Sequence, residues 1–438
     1  MHPLFKKLRS AWGITLRDDL MAGLTTAILL VPQAMAYATL AGLPPVTGLY
    51  ASTVPLLMYA WLGSSRVMAV GPVALVSLMT AAALLPLKEA GATEAELIGA
   101  AGLLALMVGG LQLLMGVLRI NGLTKLLSRP VLTGFTAAAA LLIGWSQVPT
   151  LVGSGSSLTV PWQWNLPTLA VGLGSLAGLL LLRKIKRSLP AALIVLVLTT
   201  LAVIFLSLAE RGVTVVGAVP AGLPGLAIPP LDLALATALI ASAVAIALVS
   251  YLEGFAVAKA LAKKGQKINA GREWIGIGAA NASAGLIGGY PLAGGFSRSA
   301  VNSTAGAKTR LAGAITALLV MAALAFLTPL FTSLPRAALA AIIVVAVAGL
   351  LHVKDWKLLH KEGRRPLGVA LITFATTMVF NIEAGLVVGI IASQLSLRLF
   401  GGQADADAPE GNIDETIVAT ETEEEEQDRG NTAIFPAN

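Results

Sequence analysis

The chain has 438 residues, 56% hydrophobic and 12% charged, with 30 Lys and Arg against 23 Asp and Glu. Soluble domains carry roughly 25% charged residues, so this composition excludes a water-soluble globular protein and implies one housed in a lipid bilayer. Cysteine is absent, which excludes disulfides, thiolate metal sites and a cysteine nucleophile.

In chain order, residues 1–19 are basic and amphipathic, with no uninterrupted apolar run and no small-residue cleavage site. They read as a retained cytoplasmic segment. Apolar stretches follow near 20–41, 46–62, 72–87, 95–118, 125–150, 166–182, 189–208, 232–258, 271–288, 297–307, 311–331, 335–351, 366–381 and 383–400. These are fourteen expected spans of an all-α polytopic membrane protein. Lys and Arg concentrate in cytoplasmic loops. With the N-terminus inside, the clusters at Arg66, Arg119 to Arg129, Arg183 to Arg187, Lys259 to Arg272, Lys308 and Arg310, and Lys354 to Arg365 all fall on the inner side, and Lys88, Arg211 and Arg336 fall outside. Both termini are therefore expected in the cytoplasm, and a cell inner membrane is the expected location. Residues 401–438 hold eleven acids and one Arg, so the formal +7 splits into −10 for this tail and +17 for the rest. The tail has no strand or helix period and reads as disordered. Topology already accounts for the cations, so nucleic-acid binding is not implied.

Fourteen spans divide into two sevens of opposite orientation, the inverted-repeat plan. Span 1, "DDLMAGLTTAILLVPQAMAYATLAG", carries Gln33 in its middle, and span 8, "IASAVAIALVSYLEGFAVAKAL", carries Glu253 at the matching depth. Spans 3 and 10 are short, because Gly71-Pro72 and Gly294-Gly295 break them partway. Each is expected to be a half-helix that begins inside the bilayer. Such a helix start leaves unpaired N–H groups and a partial positive charge, which suit an anion. Ser297 and Ser299 are candidate N-cap or first-turn donors, and Arg298 adds a permanent cation with a fork for an oxyanion. The competing reading is that these glycines only permit close helix packing.

The stretches "DLMAGLTTAILLVPQAMAYATLAGLPPVTGLYAS", "SSRVMAVGPVALVSLM" and "GGFSRSAVNSTAGAKTRLAG" resemble the sulfate permease (SulP) family of anion transporters, over about residues 15 to 400. The resemblance implies a seven-plus-seven repeat within 20–400. A core at about 20–118 and 232–331 would slide in elevator fashion against a gate at about 125–208 and 335–400. It also implies an anion pocket lined by Gln33, Tyr37, Val73, Ala74, Ser297 and Arg298. Family substrates include sulfate, bicarbonate and dicarboxylates, carried by symport or exchange. A homodimer is a further expectation, and no cofactor or metal is implied. The family's usual C-terminal STAS domain has no counterpart here, because 38 residues, eleven of them acids, follow Phe400; the chain is expected to be the membrane domain without it.

A carboxylate at a helix centre in the membrane is costly when charged, so Glu253 is expected to face the interior, protonate or find a partner. One reading places it near the cytoplasmic end of span 8 beside Lys259. The other makes it the coupling site for a proton, with sodium as the alternative. His2, His352 and His360 lie in the terminus and one loop, which argues against an intramembrane enzyme. An anion channel and a nucleobase carrier of the same fold are the remaining competitors, and Arg298 disfavours the second.

Overall fold

The computed structural model describes residues 3–119, 128–154, 164–185, 190–217, 222–262, 266–348, 351, 353–380 and 382–400. The acidic tail at 401–438 lies outside them. The elements are α1 (Pro3–Leu40), α2 (Pro45–Tyr50), α3 (Val54–Leu62), β1 (Val70–Gly71), α4 (Ala74–Glu89), α5 (Glu94–Val117), α6 (Arg129–Val152), α7 (Leu166–Ile185), α8 (Ala191–Phe205) and α9 (Leu233–Ala260). They continue with α10 (Ala270–Leu286), β2 (Ala293–Gly294), α11 (Phe296–Thr304), α12 (Leu311–Phe326), α13 (Thr328–Phe331), α14 (Arg336–Ala348), α15 (Val353–Glu362), α16 (Arg364–Val379) and α17 (Ile382–Phe400).

Several boundaries follow from local chemistry. The helix α5 starts at a reciprocal capping box between Thr93 and Glu96, and α6 stops at Gly153, whose φ of 67° is the left-handed cap that glycine adopts freely. Prolines divide two segments that the apolar pattern joins. Pro55 sits in the first turn of α3 and Pro329 in the first turn of α13, so the stretches at 46–62 and 311–331 are each two helices. The helix α1 runs unbroken through the junction expected near residue 19. Between the twelfth and thirteenth apolar stretches lies α15, which the hydrophobic pattern does not mark because it is polar.

By length and composition, four helices among the described residues can cross a membrane: Thr15–Leu40, Glu94–Val117, Arg129–Val152 and Leu233–Ala260. The other apolar helices among the described residues are shorter, so length and composition by themselves mark fewer crossings than the fourteen expected. Phe205, Leu233 and Phe326 are each about 80% exposed. Side chains this apolar on an outer surface need lipid rather than water, and the protein is an integral membrane protein.

Contacts repeat across the two halves of the chain. The pairs α1 with α12 and α5 with α9 are equivalent, as are α1 with α11 and α9 with α4, and α6 with α16 and α14 with α7. The pairs α3 with α10 and α6 with α14 join equivalent elements to each other. This is the contact pattern of an inverted repeat. Small residues bring backbones together where α5 meets α10. A Cβ on Gly109 would lie 2.4 Å from Ala282 N, and one on Gly278 would lie 2.9 Å from Leu113 N.

Candidate anion-binding site

The site is built where the halves cross. The two-residue strands β1 and β2 pair antiparallel, with Val70 opposite Gly294 and Gly71 opposite Ala293. Each strand runs straight into a helix: β1 leads through Pro72 and the N-cap Val73 into α4, and β2 through the N-cap Gly295 into α11. The first helical bonds are Ser77 N to Val73 O at 2.9 Å and Ser299 N to Gly295 O at 3.0 Å. The N–H groups ahead of Ser77 and Ser299 therefore have no partner within their own helices. At about 1.5 Å per residue, the 16 residues of α4 and 9 of α11 fall short of a bilayer core of about 30 Å. Both are half-helices.

The crossing is held by buried side chains. Two asparagines grip the segments that lead into the strands. Asn302 Nδ2 donates to Val67 O at 2.8 Å, while Asn281 Oδ1 accepts from Leu292 N at 2.8 Å and its Nδ2 donates to Leu292 O at 3.2 Å. Asn281 Nδ2 also donates to Gln112 Oε1, and Gln112 Nε2 donates to Ser250 Oγ, which ties α5, α9 and α10 behind β2.

Arg298 bridges the two helix starts. It is 2% exposed, and its Nη1 donates to Pro72 O, the carbonyl just ahead of α4, at 2.6 Å. Its Nε and Nη2 are buried without a hydrogen-bond partner. The guanidinium folds over Gly295, where a Cβ would lie 2.8 Å from Cζ, and it also passes Gly71. Tyr37 of α1, Tyr290 and Glu253 of α9 are within electrostatic reach of it. Tyr290 and Ser77 hydroxyls lie 3.2 Å apart, and both residues are fully buried.

Glu253 is half-buried, with Oε2 shielded and unpartnered. The next residue, Gly254, lets α9 approach β2, where a Cβ on Gly294 would lie 2.9 Å from Gly254 Cα. Lys259 places its ammonium 5.2 Å from the centre of the Phe255 ring. Glu253 interacts electrostatically with Arg298, without a direct ion pair among the described residues.

The structure thus brings Tyr37, Val73, Arg298 and Glu253 to one place. Gln33, Tyr37, Val73 and Ala74 are all at most 8% exposed. Ser297 is the second residue of α11 and is exposed beside Phe296. Neither serine caps the helix, because Gly295 holds the cap position with no side chain. The hydroxyl of Ser299 is committed: it accepts from Ala69 N at 2.9 Å and donates to Gly295 O at 2.7 Å, so it fastens α11 to the chain before β1. Tyr290 and Ser77 escape a reading by motif, although both sit within a few residues of the glycine breaks.

A polytopic helical fold with crossed half-helices and a buried cation at the crossing defines the class of inverted-repeat membrane proteins. The Sulfate permease family model matches residues 16–373, and the chain belongs to that family. It is 40% identical to Sulfate transporter 4.1, chloroplastic, of Arabidopsis thaliana, over 89% of this chain and 59% of that one. A probable sulfate transporter of Mycobacterium tuberculosis is 36% identical over 90% of this chain and 71% of its own. The fold superimposes on the murine Solute Carrier 26 family member A9 anion transporter in its inward-facing state, with a TM-score of 0.82 and 25% identity, over 87% of this chain and 68% of that one. The chain spans about three-fifths of the plant relative's length.

Proposed function

We propose that the protein is a secondary active transporter, not an enzyme, that carries a small anion of the sulfate, bicarbonate or dicarboxylate class. The observation that carries this reading is Arg298, whose Nε and Nη2 are buried without partners between two helix N-termini. A buried guanidinium without an ion-pair partner is strongly unfavourable. An anion between the α4 and α11 starts would neutralise it and accept from the free N–H groups. Gln33, Tyr37, Val73, Ala74 and Ser297 line the approach, while Ser299 positions α11. The names of the plant and mycobacterial relatives make sulfate the first substrate to test.

Glu253 is the coupling residue in this reading. Its unpartnered Oε2 beside Arg298 is suited to a proton that travels with the anion, since a sodium ion requires several oxygen ligands. The group of α1–α5 with α9–α13 acts as the moving core, and α6–α8 with α14–α17 act as the gate, in an inner membrane with both termini cytoplasmic. A homodimer through the gate would keep that frame still.

The test is uptake of labelled sulfate into proteoliposomes under an imposed inward proton gradient, an imposed sodium gradient, or neither. Accumulation above equilibrium with the proton gradient is the expected result. Accumulation with sodium alone would reassign Glu253 to sodium, and equilibration without accumulation would make the protein a channel or exchanger.

A further inference from the structure

A cavity of about 300 Å3 lies between the ends of α4 and α6 that point away from the basic loops, and the residues around Arg336 at the start of α14 close it. Its wall contains Lys88, Arg336, Ser146, Gln147, Thr39 and Thr150, and no carboxylate among the described residues. Ala81 and Leu84 of α4 are also part of the wall. The cavity therefore begins about 10 Å along α4 from the helix start at Ala74, at about 1.5 Å per residue. It is separate from the Arg298 crossing but shares α1 and α4 with it.

Two cations here go against the charge rule that orders the rest of the chain, since Lys88 and Arg336 are among the few outside the basic loops. Lys88 lies in the last turn of α4, where a helix dipole favours a cation. Arg336 has no such support, because it is the first residue of α14, where the dipole repels it. The other half of the repeat provides the contrast. Arg129 occupies the equivalent first position of α6, and the protein neutralises it with Asp355 Oδ1 at 3.3 Å and Glu362 Oε1 at 3.2 Å. Arg336 is exposed and faces a cavity without an acid. One half supplies its own carboxylates, and the other leaves the matching guanidinium open to a solute.

We propose that Lys88 and Arg336 form a second anion site, at the outer mouth, that binds a small oxyanion of the sulfate or carboxylate class and loads the Arg298 site from that side. The assignment to the outer side rests on the orientation proposed above. Lys88 belongs to the helix group that contains the crossing and Arg336 to the other. A bound anion therefore bridges the two groups, and their relative movement would open the site.

The cysteine-free sequence permits a direct test. Leu85, which lines the cavity and is 49% exposed, accepts Leu85→Cys as a single reporter thiol. Membrane-impermeant thiosulfonates, one anionic and one cationic, are added outside intact vesicles. The anionic reagent is expected to lose its advantage by about threefold or more when Lys88→Gln and Arg336→Gln are introduced, as removal of two nearby unit charges requires. Sulfate should slow labelling in the parent and not in the neutralised protein. In transport, the double variant should raise the apparent KM for sulfate presented outside and leave that for sulfate presented inside unchanged. Equal labelling of both backgrounds, absent protection, or an equal KM change on both sides would overturn the site. Labelling only from inside would overturn the outer assignment alone. Protection without any sulfate uptake would refute the transport function while this site stood.

Discussion

Arg298 is the residue on which the proposed anion site turns, and its geometry makes a prediction about charge. One of its nitrogens is spent on Pro72 O, and the other two face the crossing unpartnered. Arg298→Ala removes one positive charge, and the Coulomb loss for a doubly charged ligand is about twice that for a singly charged one at equal distance. The fold-loss in apparent affinity for sulfate should therefore be about the square of the loss for bicarbonate. Competition assays with both anions check it, and equal losses would mean that Arg298 only braces the crossing. Glu253→Gln keeps the shape of the protonated acid. It is expected to abolish accumulation under a proton gradient while sulfate exchange continues, and retained, pH-dependent accumulation would remove Glu253 from the coupling role.

At the scale of elements, the tightest demand falls where β2 passes α9. A Cβ on Gly294 would lie 2.5 Å from Met68 Sδ and 2.9 Å from Gly254 Cα. The second contact is backbone and cannot swing aside. Gly294→Ala is expected to cost about 1–3 kcal/mol, as overpacked sites do, read as a fall in thermal stability in detergent. Gly110→Ala, on the open side of α5 with nothing within 4 Å, serves as the control and should be neutral or slightly stabilising. The glycine breaks and the half-helices they create are legible in the sequence because Gly and Pro act on the local backbone. The commitment of Ser299 to Ala69 N is not, because its partner lies 230 residues away.

For the whole molecule, the helices that frame the site lie between Phe400 and the N-terminus, and the sequence of the acidic tail carries no apolar periodicity. Deletion of residues 401–438 should leave initial sulfate uptake within about twofold of the full chain, because surface charge beyond a Debye length of about 8 Å is screened. A loss of uptake in a protein that still inserts would give the tail a direct role. A buried polar network carries the opposite expectation. Glu273 accepts from Tyr59 Oη at 2.8 Å, Ser64 N at 2.7 Å and Ser65 N at 3.1 Å, which joins α10 to the end of α3. Glu273→Ala would strand these buried donors and destabilise the fold by about 3 kcal/mol or more, measured as loss of the folded monodisperse species.

Composition and periodicity alone determined that the chain resides in a membrane, that it repeats, and that it breaks at Gly71-Pro72 and Gly294-Gly295. Each of these is a property of a local window: hydropathy, loop charge and backbone freedom. What only the tertiary structure decided depends on atoms far apart in the chain. The antiparallel crossing of β1 and β2 brought two separate helix starts together. It left Nε and Nη2 of Arg298 unpartnered, and it put Glu253 within electrostatic reach of Arg298. The same three-dimensional pairing gave Arg129 two carboxylates from the polar helix α15 and gave Arg336 none among the described residues, a difference that no local window contains.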